Sequence, residues 1–270
     1  MRENKFRIGL DQSEIMFGMG VFSANPAFVE ILGYAGFDFV FLDSEHTPLA
    51  ADHALENIVR AADASGISIV LRVKGNDEHM LRNALEMGVD AVCVPHVMDR
   101  VDAERATRAA RFPPLGTRGA SAEVRAARYG AGDFDWATYV ADANRKTVVI
   151  GLAEDKEFFE NLDDILSVVG LDMINFGPSD LAMSLGHPQL YAMDAPGVRP
   201  AFERLMQGAR RHRKAVMCPA APPTLASVEA LIAAGVTAIT LRNDIVNFRS
   251  LCQDFMSRIA RPIRERSAAP

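Results

Sequence analysis

Short apolar, β-branched runs alternate along this chain with longer stretches of helical period, and the alternation repeats eight times. Strand-type runs are read at 16–22, 37–43, 68–73, 91–97, 147–154, 172–176, 215–219 and 238–241. Between them lie helical patterns such as AADHALENIVRAADASG and PPTLASVEALIAAG, many opening after Asp, Thr or Pro and closing at Gly. The strand runs are almost continuously apolar, as a parallel sheet covered on both faces requires. Eight such units predict a single α/β domain over 1–270, a (β/α)8 TIM barrel.

Two departures from this regularity stand out. Residues 112–133 form an unusually long connection, and long connections in compact domains often serve function, so it is read as an active-site loop. A tail after the eighth unit predicts an extra C-terminal helix at about 244–262.

Composition refines this picture only modestly. The chain has 270 residues, 49% hydrophobic and 24% charged, which permits a large core. A net charge of −6 without basic blocks argues against nucleic acid as a partner. The polar opening segment and the lack of a long apolar run argue against export or membrane insertion and predict a cytoplasmic location. Cys93, Cys218 and Cys252 lack ligand or pairing spacing and read as thiols.

Barrel enzymes carry their chemistry at the carboxyl ends of strands. Four strand runs end in ionisable residues: Asp43, Glu45 and His46 after the second, Arg72 and Lys74 at the third, Glu154 at the fifth and Asp180 after the sixth. Taken singly, each carboxylate reads equally well as a helix N-cap. Glu154 and Asp180 come from adjacent strands, so both can reach one divalent ion, and oxygen ligands favour Mg2+ or Mn2+, with Co2+ a further option. Gly177, with the amides of Ser179 and Asp180, opens a helix where a carboxylate can sit. Arg72 needs a negative partner: a substrate keto or enolate oxygen, or an ion pair with Asp43 or Glu45. Asp43, three residues before His46, is placed to fix an imidazole tautomer for proton transfer. His79, His96, His187 and His212 read as surface or packing residues, and His53, in a helical pattern, carries no assigned role.

The segments AGFDFVFLDSEHTP, VLRV, RFPPLGTRG, AED and GPSDLAMSLG together resemble the HpcH/HpaI family of class II pyruvate aldolases, over about residues 18–248. The resemblance implies that Glu154 and Asp180 hold a divalent metal, that Arg72 binds the keto oxygen, and that His46 with Asp43 handles protons. It also implies pyruvate held by Ser179 and Asp180, an aldehyde as second substrate, and homo-hexamers, trimers of dimers, that exchange C-terminal helices. One departure lies beside the metal candidate, where Leu152 and Ala153 precede Glu154 in place of the family's Gln-Ile. Three other readings remain open: a Schiff-base aldolase using Lys74, a coenzyme A-linked lyase of the citrate lyase β type, and a noncatalytic oxo-acid-binding barrel.

Overall fold

The computed structural model describes residues 3–188 and 193–268. Eight strands close into one parallel barrel in chain order: β1 (Met16–Gly20), β2 (Phe39–Asp43), β3 (Ser68–Arg72), β4 (Ala91–Val94), β5 (Val148–Ala153), β6 (Met173–Phe176), β7 (Ala215–Pro219) and β8 (Ala238–Asn243), with β8 pairing back to β1. This is the expected (β/α)8 barrel with an extra C-terminal helix. Most strands are slightly shorter than their apolar runs, because the ends of those runs turn out of the ladder at the rims.

Period-2 alternation sorts the strand residues into two layers. Phe39, Val70, Cys93, Ile150, Met173 and Met217 fill the barrel interior, while their neighbours Val40, Ile69, Val92, Val149, Ile174 and Val216 pack beneath the helices. Glycine at position 18 leaves room for the Phe39 ring, since a Cβ there would lie 2.3 Å from it. The helix Lys5–Gln12, which strand-and-helix counting does not foresee, closes the amino end of the barrel. Its Phe6 is 1% exposed and meets Phe39 edge-on at 5.2 Å, and Asn4 bonds the carbonyls of Asp90 and Lys146.

Gly66, Gly88 and Gly235 end their helices in the left-handed region, the role expected for these recurrent junctions.

The long connection overturns its expected role. It joins the end of the helix Arg100–Ala110 to the helix Trp136–Lys146, which leads into β5, so topology separates it from the turns that leave the carboxyl ends of strands. Arg125 pairs with Asp63, the Tyr129 hydroxyl donates to Glu56, and Arg118 is buried 4.5 Å over the Phe112 ring. The segment clads the outer helices, and none of its residues lines the cavity described below.

Helical structure runs from Asp244 to Ala268 with a π turn at Met256–Ala260, longer than the expected 244–262. Ile245, Phe248, Phe255, Ile259 and Ile263 recur along it at helical spacing and are each more than half exposed. No described helix is long and apolar enough to cross a membrane.

All three cysteines are free thiols. Burial pushes Cys93 and Cys218 up to about 12, so both should resist alkylation at pH 8 in the native protein and react only after denaturation, as mass spectrometry of labelled peptides can check.

Candidate active site

At the carboxyl end of the barrel, inward-facing strand ends enclose a cavity of about 200 Å3. That volume equals roughly six or seven waters at about 30 Å3 each, room for a small organic molecule. Its wall combines apolar groups (Phe22, Phe41, Leu152) with Arg72, Gly177, Ser179, Asp180 and Arg242.

Asp43 and Arg72 are register partners across β2 and β3, which sets their side chains side by side on the inner face. Arg72 Nε donates to Asp43 Oδ1 at 2.9 Å and Nη2 to Oδ2 at 2.7 Å, while Nη1 lies 3.0 Å from Glu45 Oε2. Burial works to lower the guanidinium pKa, yet pairing with Asp43 and Glu45 outweighs it and the net shift is upward. The ion pair therefore answers the question left open for Arg72: both expected carboxylates neutralise it, and it still lines the cavity.

The same contacts change the picture of Asp43 and His46. Asp43 Oδ1 also accepts the amides of Glu45 (2.9 Å) and His46 (3.4 Å), so the carboxylate is committed to Arg72 and to its own turn, not to the His46 ring. Thr47 Oγ1 donates to the Asp43 carbonyl and tightens this turn. The His46 ring is 63% exposed, with Nε2 3.6 Å from Glu45 Oε2.

Glu154 follows β5 directly and is only 2% exposed. Burial raises its pKa to about 7; the amide and ring of His96 pull it down, and the carboxylates of Glu45 and Asp180 push it further up. The absence of a side chain at Gly177 makes this position possible, since a Cβ there would approach Glu154 Cβ to 3.0 Å.

His96, read from the sequence as a packing or surface residue, belongs to this cluster. It sits just beyond β4 in the left-handed region (φ 51°). Its amide donates to Glu154 Oε1 at 2.9 Å, Nδ1 lies 2.9 Å from Asp155 Oδ2, and Nε2 lies 3.4 Å from Glu45 Oε1. Burial lowers its pKa, but Asp155, Glu154 and Glu45 outweigh that and raise it. Its place after the apolar run of β4 was the available signal. Its partners come from β2 and β5, so nothing beside it in the chain identified it.

One ligand atom each from Glu45, His96 and Glu154 lies within 4.8 Å of the others. The set fits a divalent cation: two carboxylates and an imidazole, with one carboxylate held at an unfavourable burial and Glu45 Oε2 lacking an aligned hydrogen bond. Asp180, expected to share the ion with Glu154, lies on the cavity wall outside this triad, close enough for its charge to act on Glu154. Ser179 and Asp180 fall in the first turn of the helix Pro178–Ser184, which has no side-chain cap. Lys74 lies beyond the end of β3, exposed and away from the cavity wall, because the strand parity that would align it with Arg72 stops at Arg72.

Sequence reasoning also missed Arg242 and Asn243, because β8 runs on past its apolar stretch. A register irregularity against β1, where Gly18 pairs with Thr240 but Gly20 with Asn243, brings this end to the cavity.

Comparison with known proteins agrees with this architecture. The family model for HpcH/HpaI aldolase/citrate lyase matches residues 16–243. A 5-keto-4-deoxy-D-glucarate aldolase from Shigella dysenteriae is 32% identical over 250 residues, covering 93% of this chain and 94% of the relative. The crystal structure of an HpcH/HpaI aldolase/citrate lyase family protein from Burkholderia cenocepacia superimposes with a TM-score of 0.85 at 28% identity, covering 94% and 99% of the two chains. That of the citrate synthase SbnG does so with 0.84 at 26% identity, covering 96% and 99%. The chain belongs to the HpcH/HpaI aldolase/citrate lyase family and is a carbon–carbon lyase.

Proposed function

We propose that this lyase is a divalent-metal-dependent aldolase that cleaves a 4-hydroxy-2-oxo acid to pyruvate and an aldehyde, and joins them in reverse. The observation that carries the reading is the buried Glu154 carboxylate, grouped with His96 and Glu45 beside a neutralised Arg72. Glu154 would hold the ion together with Glu45 and His96, whose ligand atoms share one place, and Asp180, on the cavity wall outside that group, would reach it as a further ligand. Oxygen ligands suit Mg2+ or Mn2+, and the imidazole nitrogen extends the range to Co2+. When bound, the ion supplies Lewis-acid polarisation of the 2-oxo group.

The protein groups do the rest. Arg72, oriented by Asp43, donates to the keto oxygen, where negative charge grows as the C3–C4 bond breaks. The substrate carboxylate rests against Gly177, Ser179 and Asp180. His46, with Glu45 beside it, takes the C4 hydroxyl proton during cleavage and returns a proton to C3 of the enolate. Leu152 makes this part of the wall apolar and shields the enolate from water.

The exposed apolar stripe between Asp244 and Ala268 is left uncovered by the described residues, and we assign it to helix exchange in a homo-hexamer. The three free thiols suit the reducing cytoplasm.

Two readings from other classes are answered by the same experiment. A coenzyme A-linked lyase needs a cationic grip on the adenosine phosphates, and Arg118, its candidate, is buried over Phe112 in the outer cladding. A noncatalytic binding barrel would not turn over. Pyruvate in D2O with Mn2+ or Co2+ is expected to lose its methyl protons by NMR, and EDTA is expected to stop the exchange. Absence of exchange with every divalent ion tried would sink the aldolase reading.

A further inference from the structure

Among the described residues, three ionisable side chains line the cavity: Arg72, Asp180 and Arg242. The two arginines differ in charge balance. Arg72 is neutralised by Asp43 and Glu45. Arg242 has neither an ion pair nor a side-chain hydrogen bond among the described residues, although it is partly buried. A half-sheltered guanidinium without an anion on a pocket wall is a site for one.

The backbone that carries it is fixed. Arg242 adopts φ 59° at the end of β8, in the left-handed region that costs a non-glycine residue energy. Asn243 next to it accepts the amide of Val246, and Asp244 accepts the amides of Phe22 and Ser23. These contacts hold the chain on both sides of Arg242, so the guanidinium is presented from a rigid support, with little ordering left to do on binding.

Position separates it from the reacting carbons. The triad Glu45, His96 and Glu154 stands at the ends of β2, β4 and β5, whereas Arg242 comes from β8, which pairs with β7 and β1. Thr240, Asn243, Ala220 and Phe22 flank it on the wall and offer no positive charge.

We infer that Arg242 binds a second anionic group, a carboxylate or phosphate at the far end of the substrate, and thereby selects acidic aldehydes over neutral ones. This rests on the aldolase reading above and adds to it the class of the second substrate.

The test compares wild type with Arg242→Gln and Arg242→Lys in aldol addition of pyruvate to glyoxylate, glyceraldehyde 3-phosphate, glycolaldehyde and glyceraldehyde, with pyruvate proton exchange in D2O as an acceptor-free control. Arg242→Gln is expected to lower kcat/KM for one or both anionic acceptors by about 10- to 100-fold, mainly through KM, with neutral acceptors and proton exchange unchanged. Arg242→Lys should restore part of the loss. The glyoxylate and phosphate arms tell carboxylate from phosphate recognition. Equal losses for charged and neutral acceptors, or no loss at all, would overturn the assignment, while a wild type without proton exchange would overturn the aldolase reading instead.

Discussion

Replacing Arg72 with alanine is expected to destabilise the protein by about 3 to 5 kcal/mol and to cut turnover by about 100- to 1000-fold. Asp43 is 0% exposed and has Arg72 as its bidentate partner, so the substitution strands a buried carboxylate, with Glu45 adding a second negative charge nearby. The two effects separate in a double substitution. Arg72→Ala with Asp43→Asn removes both charges and should recover much of the stability but none of the activity. Arg72→Lys keeps the charge, loses the two-pronged geometry, and should fall between. Urea unfolding and steady-state kinetics on the same preparations provide the check. An Arg72→Ala protein as stable as wild type would show that the ion pair is dispensable to the fold.

Glu154→Gln is expected to act in opposite directions on stability and function. In the folded protein Glu154 titrates at about 7 because burial penalises its charge, against 4.5 for the free group. Below 4.5 both states are protonated and no difference arises. As pH rises, the unfolded chain releases its proton first, the folded state holds more protons, and stability falls until the folded group has also titrated. His96, whose pKa is also raised, adds loss in the same direction as the pH passes its own titration. The metal-free variant should therefore be more stable than metal-free wild type at pH 8, by about 2 to 4 kcal/mol, with the gap opening between pH 4.5 and 7. Saturating divalent ion should reverse the order, because it stabilises only the chain that retains its carboxylate. Thermal unfolding across pH, with and without Mn2+, reads both halves, and turnover by the variant should be lost. A gap that failed to change with pH would mean that Glu154 is not held at an elevated pKa.

The pattern of apolar runs was sufficient for the eight strands because a strand covered on both faces must be apolar at every position, which is a local property. The glycine junctions were legible for a similar reason, since a left-handed helix end selects glycine wherever it occurs. Asp43, Arg72, Glu154 and Asp180 were found because each lies at or just after a strand end, and in a barrel that places them on one rim.

What local pattern could not supply was which of these groups touch. Asp43 stands three residues from His46 in the chain, and the sequence favoured that pair. The parallel register of β2 with β3 gave the carboxylate to Arg72 instead. His96 has Asp99 three residues on in the sequence, but Asp99 caps the next helix, and His96 acquired Glu45 and Glu154 only when β2, β4 and β5 closed into one ring. Arg242 was hidden by an irregular pairing of β8 with β1.

The length of segment 112–133 suggests an active-site loop, but its position after a helix sends it to the outer wall. The sequence by itself determined the repeated unit, the closed barrel and the inventory of ionisable groups on its rim, since these follow from local hydrophobicity and chain order. Register, strand closure and the course of the connections decided which charges neutralise one another, which carboxylate is buried with a histidine, and which cavity arginine has no partner among the described residues, because those are distances between residues that only the tertiary structure brings within a few ångströms.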